Sequence, residues 1–468
     1  MKHTQRYLPV IIGAVFTVQA HASGYHFGTQ SVSAQSTANA AAAEAADAST
    51  LFYNPAGLTK LESSEISASL NLVSPSVKYS EGQAVYNGGA TVNNSSGSGK
   101  IAKDLVFAPH IYGAYKVNDD VAVGLGVYVP FGSKTEYAHD SALRYNLNKT
   151  ELTTVAVEPA VAFKLNEKHS VAVGAIAQYS SAGLRKYADW AASARQTALN
   201  PDPAGIGSMD GYAEVKGKDW GFGYHLAWMW DINDRTRVGV NYRSRIKHNL
   251  EGTADWTAQG AVAQRLYAAR IGQTLENGGT GYVPHEKASL KITTPESLSV
   301  HGMYRAGEQW NLFGDVTWTR HSRFNRAELQ FENAKRTASG QPSNQTVIEP
   351  NWRDTYKVSL GAAYQVSEPL QLRFGMAYDQ SPVRNANERL VTMPDNNRIW
   401  YSLGAKYDIG KKHTLNAAYS YVYIQKGDAV VQGKSSNAQV TTVDSNVSSS
   451  ASYKSHAHIV GLQYNYRF

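Results

Sequence analysis

The sequence predicts an all-β protein, a 14-stranded antiparallel transmembrane β-barrel with an N-terminal hatch inside its lumen. Apolar and polar residues alternate with a period of two along most of the 468-residue chain. The connections between these segments are short and long in turn, as in outer-membrane barrels. Mean hydropathy is −0.39, which excludes a bundle of apolar membrane-spanning helices, each needing about 20 apolar residues.

The first 22 residues have the pattern of a secretory signal peptide. Lys2 and Arg6 are basic, Leu8–Val18 is apolar, and Ala20–Ala22 is a small-residue cleavage site. A membrane anchor, the alternative, would need a longer apolar stretch. We therefore expect a signal peptide at 1–22, a hatch at 23–63 and a barrel at 64–468. Loss of Lys2 and Arg6 lowers the formal net charge from +7 to about +5, too mild to indicate nucleic acid as a partner.

Fourteen candidate strands are longer than the usual five or six residues of globular strands. They lie near residues 65–78, 105–116, 121–130, 152–165, 170–181, 219–230, 236–249, 296–305, 308–319, 354–365, 369–379, 398–408, 413–425 and 454–468. Tilted strands need about 9 to 11 residues within the hydrocarbon, so these segments can cross a bilayer.

The connections fall into two alternating classes. Six are tight turns, such as residues 118–120, 166–168 and 409–411, and seven are long polar loops, including 79–104, 182–218, 250–295 and 426–453. An even-stranded barrel with both ends on the periplasmic side has this division. A soluble sandwich shows similar alternation but has no reason to sort its loops by length.

The last strand ends on an aromatic residue. Val460, Leu462, Tyr464, Tyr466 and Phe468 share one face, and the terminal Phe468 resembles an outer-membrane assembly signal. We therefore expect the outer-membrane barrel assembly machinery as a partner. An ordinary amphipathic edge strand is the alternative reading.

A barrel of 14 strands encloses a bore that needs an occupant, because eight strands are already filled by side chains. Residues 23–63 are rich in Ser, Ala, Gln and Asn and have little apolar mass for a core of their own. We expect this segment to fold into the lumen as a hatch. The alternative is an exposed flexible tail.

Two motifs identify a family. Residues 47–57, DASTLFYNPAG, resemble the hatch motif of FadL-type transporters of long-chain fatty acids and other hydrophobic compounds in Gram-negative outer membranes. The segment 378–383, YDQSPV, followed by Arg389, Arg398, Trp400 and Gly404, is similar to a loop of the same family. The resemblance covers essentially the whole mature chain.

The resemblance implies passive uptake of a hydrophobic ligand, with capture by outer loops, an apolar pocket, hatch movement and lateral exit at the third strand. It places the hatch motif at Asn54, Pro55, Ala56 and Gly57, and a pocket-plugging N-terminus at Ser23, Gly24 and Tyr25. One departure is that residues 33–46 lack the glycines usual in this family.

The third strand and two loop cations are further candidates. Gly124 and Gly126 permit a bend and Pro130 removes a ladder donor, which suits a lateral opening, although Pro130 could equally mark the end of a strand. Lys186 and Arg353 fall where the family contacts a ligand head group. Most lysines and arginines in such loops face water or lipopolysaccharide phosphates, which is the alternative role for each of these two residues.

Catalytic and metal-binding patterns were not found in the sequence. The chain has no cysteine, no Gly-x-Ser-x-Gly and no His-Glu-x-x-His, so we expect no catalytic residues, no cofactor and no metal. The expected location is the outer membrane of a Gram-negative bacterium, as a monomer surrounded by lipid and lipopolysaccharide. Uptake of aromatic hydrocarbons, lipid hydrolysis and a structural or adhesive role are the rival functions.

Overall fold

The computed structural model describes residues 28–86, 91–92, 95–102, 104–190, 210–259, 261–266, 272–336, 341–432 and 447–468. The predicted signal peptide and the segment Ser23–Tyr25 lie outside these ranges. Among the helices within them, none combines the length and apolar character needed to cross a bilayer.

The described ranges contain twenty β-strands, all in one antiparallel sheet. They are β1 (Glu65–Tyr86), β2 (Gly99–Ala102), β3 (Val106–Lys116), β4 (Val121–Tyr128), β5 (Gly132–Glu136), β6 (Lys149–Lys164), β7 (His169–Asp189), β8 (Asp210–Asn233), β9 (Thr236–Arg243), β10 (Ile246–Trp256), β11 (His285–Thr294), β12 (Ser297–Ala306), β13 (Trp310–Thr319), β14 (Ala327–Arg336), β15 (Pro342–Ile348), β16 (Thr355–Ser367), β17 (Leu370–Asp379), β18 (Arg398–Ile409), β19 (His413–Val431) and β20 (Val447–Arg467).

These twenty segments make a closed barrel of fourteen strands. Six of the barrel strands are interrupted, so that β2 continues β3, β5 continues β4, β10 continues β9, β11 continues β12, β14 continues β13 and β15 continues β16. The barrel closes where β20 pairs with β1, from Arg467 opposite Glu65 to Val447 opposite Tyr86. The predicted fold class is therefore confirmed.

The two faces of the sheet differ as a membrane barrel requires. On β8, Phe222, Tyr224 and Leu226 are exposed on the outer face, whereas His225 and Ala227, which alternate with them, are buried on the lumen side. Lipid contact stabilises the apolar outer face, and pairing of β20 with β1 closes the sheet so that it has no outermost strand.

Two of the long outer loops are shorter in the structure than the sequence predicted, because neighbouring strands extend into them. The segment predicted as one strand at 236–249 is broken after Arg243 and then continues as β10 to Trp256, inside the predicted loop 250–295. Likewise, β7 and β8 extend into the predicted loop 182–218. These outer extensions lie beyond the lipid. Without lipid contact their sequence need not be apolar on one face, and that alternation was the basis of the strand prediction.

The hatch lies in the lumen. It consists of four short helical segments, Val32–Gln35, Ala42–Glu44, Thr50–Tyr53 and Pro55–Lys60. Most of its side chains are buried against the inner face of the barrel. The first segment is capped by the hydroxyl of Ser31, which accepts a hydrogen bond from the amide of Ala34.

Polar side chains of the wall hold the hatch in place. The Gln463 side chain accepts the amide of Val32 at 2.8 Å and donates to the Asp47 carboxylate at 2.8 Å. Arg373 forms an ion pair with Glu44. Where the hatch lies closest to the wall, the wall residue is glycine: a Cβ on Gly375 would overlap the carbonyl group of Thr37.

The hatch contains strained alanines. Ala38 and Ala45 have φ of 52° and 53°, in the left-handed region that glycine adopts freely. A side chain there costs about 1–2 kcal/mol, so surrounding contacts must hold each alanine in place. Both positions lie within the stretch where the sequence lacks the family's usual glycines.

We expect Gly375→Val to displace the hatch and leave the barrel closed, because the new side chain would occupy the space of the Thr37 backbone. Limited proteolysis should then cleave within residues 28–63 at least tenfold faster, with unchanged heat-modifiable migration of the barrel. Gly314→Val on β13 is the matched control, since the nearest atom to its Cβ is a Leu360 methyl at 3.9 Å. Equal protease resistance in both variants would contradict this account of the close approach.

Candidate functional site

An apolar cavity of about 60 Å³ lies at the outer end of the barrel interior. Strands and outer loops both contribute to its lining, which consists mainly of Leu147, Leu152, Leu184, Leu290, Ile292, Phe324, Ala327, Ile348, Leu390 and Met393. A smaller void of about 10 Å³ shares Ala182, Leu184 and Leu290 with it. The pair forms an apolar region suited to hydrocarbon and too small for a long acyl chain without side-chain movement.

Buried polar groups fix the loops around this cavity. Tyr137 donates to the carbonyl of Val391 at 2.5 Å and contacts the Tyr453 hydroxyl at 2.7 Å. Burial raises the pKa of Tyr137 well above its ordinary value, so the phenol stays neutral in its apolar surroundings. On another side, the rings of Phe324 and Trp352 meet edge to face at 4.9 Å.

Neither predicted head-group cation belongs to the cavity lining. Lys186 lies on β7, two residues beyond Leu184 and hence on the same strand face, one pleat farther out. Arg353 lies before β16, where its Nε donates to the carbonyl of Ser381 at 3.1 Å. The Arg353 side chain thus ties two outer loops together, next to the buried Trp352.

The hatch motif fastens the end of the Thr50–Tyr53 helix to the wall. The Asn54 side chain donates to the carbonyl of Trp228 at 3.1 Å and contacts Nε2 of His301 at 2.9 Å. Its Oδ1 accepts the amide of Ala56 at 3.1 Å, which caps the next segment, with Pro55 at the first position. Gly57 lies so close to Ala45 that a Cβ would approach the Ala45 methyl to 2.8 Å.

Gly124 and Gly126 on β4 make room for the hatch. A Cβ on Gly124 would lie 2.6 Å from a Leu51 methyl and 3.0 Å from a Leu58 methyl, and one on Gly126 would lie 3.1 Å from Leu51. Leu51 and Leu58 are both fully buried there. The two glycines therefore serve close packing between hatch and wall, a role that their bending freedom alone did not predict.

The wall is incompletely paired beside the same strand. The ladder between β3 and β4 ends with Ile111 opposite Val127, and among the described strands no ladder pair joins Val106–Pro109 to β4 or β5. On the other side, β4 and β5 both remain paired with β6. Pro130 lies in the break between β4 and β5, where it has no amide to donate.

Side chains replace the missing ladder bonds at this gap. The Val129 amide donates to Nδ1 of His110 at 3.4 Å, and its carbonyl accepts from the side-chain amide of Gln30 at 2.8 Å. Gln30 belongs to the hatch, and its own backbone is bonded by the hydroxyls of Tyr53 and Tyr112. The hatch therefore supplies a hydrogen-bond partner to the wall strand at a point where the neighbouring strand supplies none.

A buried charged network lies next to the gap. Glu158 on β6 binds Nδ1 of His225 at 2.5 Å and Nη1 of Arg243 at 3.1 Å, and it accepts the hydroxyl of Tyr128. The guanidinium of Arg243 also lies 4.4 Å from the ring centre of Phe52 in the hatch. Within the described residues, no three His, Asp or Glu side chains are grouped to hold a metal. The network is thus a structural connection between the hatch and the neighbouring wall strands β4, β6, β8 and β9.

The sequence did not indicate the structural roles of four residues at this gap and in this network: Gln30, His110, Glu158 and Arg243. One signal was present: Glu158 falls at an inward position of β6 between Ala156 and Ala160, where small residues otherwise dominate. A lone carboxylate on that face implies a buried partner, although the partner's identity depends on the fold.

The chain matches known proteins over nearly its full length. The family model described as outer membrane protein transport protein (OMPP1/FadL/TodX) matches residues 13–468. The chain belongs to this family. It is accordingly an outer-membrane β-barrel transporter of hydrophobic compounds, and its family consists of transporters and channels rather than enzymes.

Two relatives and two solved structures show the range of similarity. The chain is 57% identical over 468 residues to outer membrane protein NMB0088 of Neisseria meningitidis, with 98% of each protein covered. It is 27% identical over 431 residues to the long-chain fatty acid transport protein of Escherichia coli O6:H1, covering 88% of this chain and 90% of that protein.

The solved structures establish the likeness of fold. A FadL homologue of Pseudomonas aeruginosa superposes with a TM-score of 0.82 at 21% identity, covering 95% of this chain and 100% of its own. The toluene transporter TodX of Pseudomonas putida gives a TM-score of 0.63 at 15% identity, covering 95% and 99%.

We expect Glu158→Gln to destabilise the folded barrel by about 3–5 kcal/mol, because it leaves the Arg243 guanidinium buried without its carboxylate. Urea unfolding in detergent, followed by tryptophan fluorescence, measures the change. The double variant Glu158→Gln with Arg243→Met should recover part of the loss, since it removes the uncompensated charge. A single variant as stable as the unaltered protein would mean that the network contributes nothing.

Proposed function

We propose that this transporter takes up long-chain fatty acids passively, through the apolar cavity, movement of the hatch and lateral exit beside β4. The observation that carries this proposal is the apolar cavity inside the barrel, whose lining includes loop side chains that can move. The relative from Escherichia coli O6:H1 is named as a long-chain fatty acid transport protein, which supports the same substrate class here.

Ligand binding would be driven by apolar burial. Each methylene removed from water contributes about 0.8 kcal/mol, so a long acyl chain gains enough to displace loop side chains. Phe324 and Met393 lie on loop segments of the lining and are the side chains best placed to move. Met393 in particular has a flexible thioether chain that can repack around different ligands.

Lys186 is the better placed of the two proposed head-group residues. An ammonium one pleat outward from Leu184 would meet a carboxylate whose acyl chain points into the cavity. Arg353 already donates to the Ser381 carbonyl, so we assign it a contact with the ligand only through rearrangement of the loop. Ser23–Tyr25 remain our proposed plug of the pocket.

The proposed exit is the unpaired region between β3 and β4. Loss of the Gln30 bond would free the Val129 carbonyl, and retreat of Leu51 from the Gly124–Gly126 face would open the lumen side of the wall. No energy source is required, because a ligand shifts the hatch only by binding its two states unequally. A downhill gradient then sets the direction of transport.

Uptake of aromatic or other uncharged hydrocarbons is the second candidate. It is favoured by the cavity lining, in which the described residues include no lysine or arginine and one carboxylate, Glu151. TodX, whose fold is similar, is named as a toluene transporter. For such ligands Lys186 and Arg353 would be dispensable.

We expect Leu184→Glu to lower uptake of labelled oleate by at least tenfold. A second carboxylate in the cavity repels the carboxylate of the ligand, and its loss of hydration beside an acyl chain costs free energy. The measurement is the initial uptake rate in a Gram-negative host that lacks its own fatty acid transporter. Leu184→Met is the matched control and should retain uptake, since it conserves volume and apolar character.

The same strain distinguishes the substrates. If the ligand is a fatty acid, Lys186→Gln should raise the concentration for half-maximal oleate uptake severalfold and leave toluene uptake unchanged. Toluene uptake that saturates while oleate does not would favour the second candidate. If neither compound shows transporter-dependent uptake, both candidates fail.

We expect Gln30→Leu to raise oleate uptake about fivefold at low substrate, because it removes one hatch-to-wall hydrogen bond of about 1 kcal/mol. Gln35→Leu is the control: Gln35 is an equally buried hatch residue, but it bonds the carbonyl of Ile459 and the side chain of Asn71, away from the gap. Equal changes in the two variants would contradict a specific coupling between Gln30 and the exit.

A further inference from the structure

The outer surface of the barrel carries a row of lysines across adjacent strands. Lys100 on β2 pairs directly with Lys78 on β1, and Lys78 pairs directly with Lys454 on β20. Lys426 lies in the β19 bulge opposite Lys454, between the pairs Ile424–Ser455 and Gly427–Tyr453. All four residues are exposed. Neighbouring strands are about 4.8 Å apart, so these lysine side chains leave the backbone side by side.

Like charges placed directly opposite one another destabilise a sheet unless something neutralises them. Within the described residues, no ion pair involves any of the four lysines. Two acids lie one pleat farther out, Glu81 and Asp428, each within hydrogen-bond distance of the Ser452 hydroxyl. Lys100 also lines a cleft that contains Asp104, Glu136, Lys134 and Arg185. Six cations against four acids leave a local excess of positive charge.

The height of the row matches the outer lipid headgroups. Below Lys454 on the same face come His456 and His458, and then the exposed apolar residues Val460 and Leu462. The hydroxyl of Tyr419 contacts Nδ1 of His458 at 2.7 Å, as in the polar-aromatic girdle at the edge of a barrel's apolar band. At about 3.3 Å per residue, Lys454 is roughly 20 Å along the strand from Val460, outside the hydrocarbon.

We propose that this row, formed by Lys78, Lys100, Lys454 and Lys426, binds the phosphates of a bisphosphorylated glycolipid of the outer leaflet, namely the lipid A part of lipopolysaccharide. A headgroup with two phosphates neutralises several opposed ammonium groups at once, and its acyl chains lie along the apolar face below. Lys78 and Lys454 lie on the same strand face as the exposed Val460 and Leu462, and none of the four lysines lines the apolar cavity of the transport proposal.

The test uses the full mature chain in detergent and native mass spectrometry to measure binding of purified deep-rough lipopolysaccharide. The variant with Lys78→Gln, Lys100→Gln and Lys454→Gln should bind at least tenfold more weakly than the unaltered protein. The matched control removes three exposed lysines at the periplasmic turns, through Lys168→Gln, Lys411→Gln and Lys412→Gln, and should bind normally. Heat-modifiable migration verifies folding of each variant.

Two further arms identify the ligand chemistry. The first arm removes the phosphates from the glycolipid enzymatically. The dephosphorylated glycolipid should bind the unaltered protein weakly, with the same affinity that the intact glycolipid has for the triple glutamine variant. Inorganic phosphate alone should compete only at far higher concentration; competition at equal concentration would overturn the assignment to a lipid. The triple Lys→Arg variant keeps the charge and should retain binding.

Should the triple glutamine variant fail to fold, Lys454→Gln alone is informative. Lys454 is flanked by a lysine on each side, so its loss should weaken binding about threefold or more. Unchanged affinity in a folded single or triple variant, or equal binding of the dephosphorylated glycolipid, would overturn the proposal.

Discussion

The structure depends on one constraint: in hydrocarbon, each backbone amide and carbonyl needs a partner within the protein. The fourteen-stranded ladder meets it around most of the circumference, including the join between β20 and β1. One interruption, above the Ile111–Val127 pair, is compensated by side chains of His110 and Gln30. Because one of those side chains comes from the hatch, the integrity of the wall and the position of the hatch are energetically connected.

Packing and charge reinforce that connection. Leu51 and Leu58 fill the space left by Gly124 and Gly126, while Arg243 links Phe52 of the hatch to Glu158 on β6. A buried ion pair contributes little net stability compared with apolar packing, yet losing one partner is costly. Such a network therefore favours one defined arrangement of hatch and wall over intermediate positions.

The sequence predicted the features that lipid or local chemistry imposes. The strand number followed from one-sided alternation, which lipid enforces. The hatch motif followed from the resemblance of residues 47–57 to a family, and in the structure Asn54 and Pro55 of that motif cap a helical segment. The interruptions of six barrel strands were not predicted, because the outer extensions do not contact lipid and therefore lack the alternating pattern. Nor were the partners of Glu158, since His225 and Arg243 are 67 and 85 residues away and no periodicity joins them.

The join between the last strand and the first has a consequence for biogenesis. The first and last strands of the barrel form one of the longest ladders in the molecule, so the cylinder cannot be sealed until β20 has been synthesised and exported. Until then the apolar strands present open edges to water, a condition that promotes aggregation and slows non-local pairing. Other proteins have to keep such a chain from aggregating on its way to the membrane, and the pairing of β20 with β1 decides when that protection can end.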